Sequence, residues 1–246
     1  MWEIYDELIE MVPDDLIVTD FLAGLRWFLV RTNGVGMAMT PREGSGLVNV
    51  STRIKGMNAR DVARFIKSWD NHEAAMGLAA INSFINQKSK IESLNDVIAD
   101  MSSQVNLFDY MKDEIRGKNV AVIGHFRGLE TIAEICNLHI LERFPQPGDY
   151  PDPACEYILP EQEYVFITGT TLINKTLPRL LELSRNAKVS VVGPSTPMTP
   201  VLFKYGINTL AGTMVVDDNA VWNLIQEGDQ HRFFSEGGQM VKISKK

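Results

Sequence analysis

Three short strings in the second half of the chain gather residue types able to recognise or transform a small molecule. They are Gly124-His125-Phe126-Arg127-Gly128, Thr168-Gly169-Thr170-Thr171 and Gly193-Pro194-Ser195-Thr196-Pro197. Glycine lets a backbone approach a ligand closely, and hydroxyls both donate and accept. Amides at the start of a following helix favour an anion or a polar group. His125 adds an imidazole, the side chain that exchanges protons near neutrality, and it reads either as a proton carrier or as a loop hydrogen-bonding group. Ser195 and Thr196 lie in a segment stiffened by Pro194, Pro197 and Pro200 and could orient a substrate, but no base visible in the sequence makes either a nucleophile. Upstream, Asn82 falls on the apolar stripe of a predicted helix, where a buried amide either ties two elements together or points into a polar cleft.

Other patterns are weaker. The first string is GxxxG and lacks the GxGxxG fingerprint, although Glu142 ends the next predicted strand, where an acid either meets a ribose or is simply solvated. No GxxxxGK[ST] occurs, so a P-loop is excluded, and Lys175 is a solvated charge or a counter-ion for an acidic ligand. Glu73 reads as a capping residue or a catalytic acid. Cys136 and Cys155 form no CxxC pair, and His72, His125, His139 and His231 show no HxxxH or HExxH spacing. The sequence therefore writes no metal site, and both thiols read as reduced and structural.

The elements that must position these groups divide into two grammars. Leu16 to Thr32 is rich in β-branched and aromatic residues, Asn33-Gly34 supplies a turn, and Val35–Met39 runs back, which predicts a hairpin. Leu47–Thr52 could add a third strand. Val62, Phe65, Ile66 and Trp69 recur with helical spacing after Asn58, and a second helix starts near Asp70 with Ala75, Leu78, Ala79 and Ile85 on one side. Ile91 to Gly117 reads as helical, with Phe108, Met111 and Ile115 as its stripe, and the boundary between residues 1–105 and 106–246 falls there. Beyond it the order is β-α-β, with strands 120–124, 138–142, 164–168, 189–192 and 208–210, helices between them, a short strand at 156–159, a helix at 219–226 and a frayed tail at 244–246. Short, fully apolar strands predict a parallel sheet covered on both faces.

The chain has 246 residues, 45% hydrophobic and 22% charged, an ordinary globular composition that excludes disorder or coiled coil as the main state. With 31 acids, 24 bases and a net charge of −7, a general grip on nucleic acid or an anionic membrane lacks an electrostatic basis. No signal peptide or membrane span is evident, so a cytoplasmic location is expected.

The strings Val120-Ala-Val-Ile-Gly-His-Phe126, Thr168-Gly-Thr-Thr-Leu-Ile-Asn-Lys-Thr176 and Gly193-Pro-Ser-Thr-Pro197, with Ala79-Ala-Ile-Asn82 upstream, resemble the family of bacterial and archaeal proteins described as putative heavy-metal chelation. The resemblance spans the chain. It implies an α/β protein with an N-terminal α+β domain similar to the enolase N-terminal fold, a C-terminal Rossmann-like doubly wound parallel sheet, and an active site in the cleft between them. Carried onto this chain, the candidate positions are Asn82, Gly124, His125, Thr168, Thr171, Asn174, Ser195 and Thr196. Fold is not function, and the carboxylate cluster that enolase chemistry needs for magnesium is missing. Soft metals prefer thiolate and imidazole, which are scarce here and unclustered. The expectation is a protein that makes, modifies or binds a small metal-chelating compound, with His125 as proton carrier, Asn82, Asn174 and Ser195 as positioning groups, and no metal ligands of its own. The alternative is a non-catalytic binding protein for a metal complex or a nucleotide-like ligand, and a third reading places a nucleotide or S-adenosylmethionine on Glu142. The expected partner is a small polar organic molecule, with no nucleic acid or membrane; cofactor, enzymatic character and self-association into a homo-oligomer are left open.

Overall fold

Runs of β-branched and apolar residues build two sheets in a computed structural model that describes residues 2–44, 54–102, 106–229 and 231–246. The smaller sheet is antiparallel, in the order β1 (Asp20–Ala23), β2 (Trp27–Arg31), β3 (Val35–Met39). The expected hairpin is β2–β3, with Phe28 opposite Ala38 and Val30 opposite Gly36. Its connection runs from Thr32 to Gly34 without a positive φ, and Asn33 instead accepts a hydrogen bond from Gln87 Nε2 at 2.7 Å. The strand expected at Leu47–Thr52 lies outside the described residues.

Helices α1 (Glu3–Glu10), α2 (Ala59–Ala63) and α3 (Asn71–Ile85) accompany this sheet, with α3 packed on β2 and β3. Asp70 caps α3 by accepting the amides of His72 and Glu73 at 2.9 and 3.0 Å, and Glu73 takes the Ser68 hydroxyl at 2.6 Å. Both acids are thus engaged in starting the helix. The approach of α3 to β3 depends on Gly36, where a Cβ would stand 2.0 Å from Ser83 N and 2.2 Å from Ala79 O. Trp69, expected on a buried stripe, is 74% exposed. The reason is local: α2 tightens into a 3-10 turn over Arg64–Lys67 and the chain leaves extended at Ser68, which rotates Trp69 off the helical face.

After α4 (Lys88–Glu92) the chain enters the larger sheet. Its strands are β4 (Val97–Asp100), β5 (Asn119–Ile123), β6 (Asn137–Glu142), β7 (Tyr150–Pro151), β8 (Tyr164–Thr168), β9 (Lys188–Val192), β10 (Ile207–Val215) and β11 (Gly238–Lys245). The order is β4-β11-β10-β9-β8-β5-β6-β7. From β10 to β7 every neighbour is parallel, whereas β11 is antiparallel to both β10 and β4. Alternate residues of β5 and β8 serve opposite faces. Val120, Val122, Tyr164 and Phe166 meet Phe108 of α5 (Leu107–Tyr110), Met111, Ile115 of α6 (Lys112–Ile115) and Ile132 of α7 (Glu130–Ala133). Ala121, Ile123, Val165 and Ile167 enter the core that also holds α3 and Leu8 of α1. The protein is a mixed α/β fold, a large and mostly parallel sheet beside a separate antiparallel one. No helix among the described residues is long and apolar enough to cross a membrane.

Three local expectations are corrected. Residues 155–158 are helix α8 (Cys155–Ile158), because Pro153 suits a first helical turn and buried Cys155 and Leu159 stand one turn apart. The 91–117 stretch is broken by β4. The tail is β11, an inner strand reaching Lys245, in which Lys242 pairs with Asp100 at 3.2 Å and lies 4.6 Å from the Tyr110 ring. Two further helices, α9 (Leu177–Leu183) and α10 (Asp218–Gln226), complete the chain, and α10 packs its Val221 and Ile225 with Trp27 and Leu29 of β2.

Candidate functional site

From β5 the chain moves outward through β6 and β7, then returns to the opposite side of β5 to lay down β8, β9 and β10. The strand order therefore reverses between β5 and β8. In open parallel sheets the crevice at the carboxyl ends of such strands is where ligands bind.

The three glycine-containing loops meet there. A Cβ on Gly124 would stand 3.2 Å from Thr168 Cβ, one on Gly169 would stand 2.8 Å from Thr196 N and Oγ1, and one on Gly193 would stand 3.6 Å from the Phe126 ring. Each loop thus touches the other two. Gly124 and Gly193 have φ of 103° and 108°, the left-handed region in which glycine turns the chain at no steric cost. The smaller sheet closes over this edge through the end of β3. Met39 N donates to Ser195 Oγ at 2.9 Å, and a few residues on Glu43 pairs with Arg143 at 3.0 Å while Arg42 stands 5.3 Å from the Phe144 ring. Those contacts lie on the loops after β9 and β6, which flank β8 and β5 in the sheet, so residues 39–43 bridge the point of reversal.

Among the expected residues, His125 is placed most favourably for chemistry. Its side chain is 37% exposed, and its Nδ1 lies 3.2 Å from Asp149 Oδ2, on a carboxylate only 4% exposed. The same oxygen accepts Gln146 N at 3.0 Å. A carboxylate only accepts, so Nδ1 carries the hydrogen and the Nε2 lone pair of the neutral ring is left for an incoming proton. Asp149 was not singled out in the sequence; its one signal is Gly148-Asp149 in the proline-rich loop after β6. Glu142 holds the backbone: its two oxygens accept His125 N at 3.0 Å and Arg143 N at 2.9 Å. A ribose would have to displace those amides.

Thr168 and Thr170 stand half-buried at the end of β8 with their hydroxyls 3.0 Å apart. The remaining expected groups sit behind the loops. Thr171 Oγ1 donates to Thr168 O at 2.7 Å, Ser195 Oγ accepts Met39 N, and Asn82 Nδ2 donates to Met37 O at 2.9 Å and Ser195 O at 3.1 Å. Asn82 and Thr196 are fully buried, and Asn82 Oδ1 and Thr196 Oγ1 have no hydrogen-bond partner among the described residues. Asn86, one helical turn on, fastens the same loop through Thr196 O at 2.9 Å and Met198 N at 2.8 Å. Asn174 is drawn away; its Oδ1 accepts Thr176 N and Oγ1 at 3.2 and 2.7 Å, shaping the start of α9. Lys175 is neither solvated nor at the loops: its buried Nζ donates to Ser68 O and Ile173 O. A cavity of about 480 Å³ lined by Asn33, Asn86, Gln87, Lys88 and Asp218, and one of about 360 Å³ beside Arg179 and Arg185, lie away from this edge. Neither is lined by an imidazole or a thiol, so the chemistry directs attention to the loops.

A mixed α/β protein whose large, mostly parallel sheet reverses its strand order between β5 and β8, beside a separate antiparallel sheet, is the class that the fold defines. The chain belongs to the family described as putative heavy-metal chelation: one family model of that description matches residues 106–244 and a second matches residues 5–85. It is 32% identical to an uncharacterized protein of Methanocaldococcus jannaschii over 85% of this chain and 83% of that one. A crystal structure of a protein of unknown function of the same family from Desulfitobacterium hafniense DCB-2 is similar with a TM-score of 0.92 and 40% identity, covering 100% of this chain and 99% of that one. Another, from Pyrococcus horikoshii, shares the fold with a TM-score of 0.81 at 22% identity, covering 98% of each chain.

The donor set does not fit direct capture of a soft metal. Among the described residues no group of three or more His, Cys, Asp or Glu is placed to hold an ion. Burial pushes the Cys155 thiol up to about 12 and raises Cys136, away from the thiolate that a soft metal requires.

Proposed function

We propose that this protein binds a small polar organic molecule where the loops after β5, β8 and β9 meet, and that His125 carries a proton to or from it. The His125–Asp149 pair at that edge carries the reading. A buried carboxylate that fixes the Nδ1–H tautomer leaves Nε2 directed as an acid–base group, with Asp149 in the positioning role. The Thr168 and Thr170 hydroxyls and the Gly124 and Gly169 backbone supply recognition. Asn82 and Ser195 frame the site, tying α3 and β3 to the loop after β9. Asn82 Oδ1 and Thr196 Oγ1, buried without a partner among the described residues, favour polar content close by, since such groups are stabilised by a donor that reaches them.

The family description is then met by the molecule rather than by the side chains: the compound made, modified or held is itself the metal chelator, or its metal complex. Native mass spectrometry of the freshly purified chain, set against its denatured mass, tests this. The expected result is an organic mass retained only in the native state. A bare transition metal bound at one per chain with submicromolar affinity, no small molecule being present, would overturn it. With the retained compound in hand, His125→Gln should abolish turnover and leave affinity within about threefold, as removal of a transition-state group does. Unchanged handling of the compound by that variant would favour capture without catalysis.

A further inference from the structure

The cavity of about 480 Å³ is walled by the hairpin tip after β2, the junction of α3 with α4, Val215 at the end of β10 and the first turn of α10. Volumes of about 300–1,000 Å³ are those of small-molecule sites. Gly34 lets the tip press on the junction, since a Cβ there would stand 2.9 Å from Gln87 Nε2 and 3.0 Å from Gln87 Cγ. Much of the polar wall is already spent on the fold. Asn86 gives Nδ2 to Thr196 O and takes Met198 N on Oδ1, at 2.9 and 2.8 Å, and Lys88 pairs with Glu92 at 3.8 Å. Gln87 gives Nε2 to Asn33 Oδ1 and Ser83 O at 2.7 and 2.8 Å. Because Ser83 O can only accept, the remaining polar atom of that side chain is the acceptor Oε1.

Asp218 is left over. It is half-buried and lines the cavity, and among the described residues its carboxylate has neither a hydrogen bond nor an ion pair. Capping of α10 does not account for it, because Asp217 does that by accepting Asn219 N and Ala220 N at 3.1 and 3.0 Å. Nor does Arg31, whose Nη2 goes to the Asp218 carbonyl and to Asn219 Oδ1, each at 3.4 Å, and whose guanidinium lies 4.4 Å from the Trp222 ring. Burial raises the Asp218 carboxyl above its ordinary value, against Arg31 and with Asp217 adding to it. Other half-buried carboxylates, Glu7, Glu142, Asp149 and Asp229 among them, are held by Tyr205, backbone amides or His125. Asp152 has no such partner among the described residues, but it borders neither cavity. A desolvated carboxylate without a partner costs free energy that a cation in the cavity would recover.

We propose that this cavity is a small-molecule site separate from the loop edge and takes a primary ammonium group, held by the Asp218 carboxylate and by Gln87 Oε1. An ammonium matches what the wall offers, since it carries three donors and no acceptor and its bond to a carboxylate is charge-assisted. Lys88 and Glu92 offset each other, so the net charge of the lining is the single negative one of Asp218. Binding here needs nothing from His125.

The test uses the full chain, titrated at constant ionic strength with n-butylamine and with a butane diamine, and with butanol and butyrate as neutral and anionic counterparts, followed by calorimetry and by backbone amide NMR. Saturable binding of at least one amine is expected, with shifts at Gly34, Gln87 and Asp218, and none of these from butanol or butyrate. Asp218→Asn should weaken that binding about tenfold or more, as loss of a charge-assisted bond does, whereas Glu134→Gln, an exposed acid elsewhere, should leave it unchanged. Asp217 still caps α10 in the first variant, and a readout in the wild-type chain stands beside it: the Asp218 carboxyl should titrate at lower pH when the amine is bound. Absence of saturable amine binding at tens of millimolar, equal binding of butanol or butyrate, or equal weakening in the two variants would overturn the assignment, the last by showing only the general attraction of a chain of net charge −7 for cations.

Discussion

Lys175 combines two costs that the fold tolerates together. It is the one non-glycine residue with a left-handed backbone among those described, at φ 64°, and its Nζ is buried against the carbonyls of Ser68 and Ile173. Desolvation lowers its pKa from 10.5 to about 8, with Asp70 pulling the other way. A lysine whose folded value lies below its unfolded value releases its proton first in the folded state. Between pH 8 and 10.5 the unfolded chain then holds the extra proton, so this group adds stability as pH rises through that window and imposes a constant penalty below it. Urea unfolding of wild type and Lys175→Met at pH 7, 8, 9 and 10 should show the stability difference, wild type minus variant, growing only above pH 8; a flat difference would exclude the linkage. A second residue-scale prediction concerns His125. In wild type its hydrogen should reside on Nδ1, and in Asp149→Ala it should move to Nε2, the favoured tautomer of an unconstrained histidine side chain, as read from ring nitrogen shifts. No tautomer change would remove Asp149 from its positioning role. His125, Gly124 and Thr168 were legible in the sequence because a residue just past an apolar strand must emerge at the sheet edge. Asp149 was not, since its partner lies across a loop whose path no local pattern dictates. Thr171 and Ser195 were recognised as polar groups near the edge and Asn82 as a buried amide that either ties two elements together or points into a polar cleft, but residue type does not tell whether such a group faces the crevice or the frame behind it.

The elements follow the same logic. Apolar runs located β5, β6, β8 and β9, and caps located α2 and α3, because each signal is local. β11 and β4 escaped because they are polar: their burial comes from pairing with each other and with β10, and Lys242 is accommodated by groups from separate segments, Asp100 and Tyr110 among them. The contact that most directly transmits position to the site is α3 on β3. Met37 O and Met39 N of β3 bond Asn82 Nδ2 and Ser195 Oγ, each at 2.9 Å, so the separation of the two elements sets where the loop after β9 sits. Gly36→Ala puts a methyl within 2.5 Å of the Ser83, Ala79 and Asn82 backbone, which has no freedom to yield. Overpacking of this kind should cost about 3 kcal/mol or more. At roughly 2–4 °C per kcal/mol for a chain of this size, Tm should fall by about 6–12 °C. Gly56→Ala provides the contrast, because its φ of 87° is strained for alanine but nothing lies within 4 Å, and it should cost only about 1 kcal/mol. A loss in Gly36→Ala no larger than that in Gly56→Ala would show that α3 yields to the added methyl and that crowding does not make Gly36 necessary.

At the scale of the whole molecule the two sheets share buried core. One buried core runs from Leu8 of α1 through Leu78 and Ile81 of α3 to Val165 of β8 and Val191 of β9. β4, which precedes residue 105, is a strand of the large sheet. Polar ties cross between the two at Asn82, Asn86 and Lys175, and Arg31 of β2 reaches the Asp218 carbonyl and lies 4.4 Å from the Trp222 ring. Cutting the chain near residue 105 would expose the buried face of α3 on one side and strip β11 of its outer neighbour on the other. The chain should therefore unfold in urea as one transition. Tryptophan fluorescence, reporting Trp27 against Phe233 and Trp222 against Arg31, and far-ultraviolet circular dichroism, reporting both sheets, should share a midpoint and a slope. Two resolved transitions, with the fluorescence change confined to one, would mean that the halves fold independently. The loop-edge crevice would then open and close by their relative motion, whereas a single transition makes its geometry as stable as the fold itself.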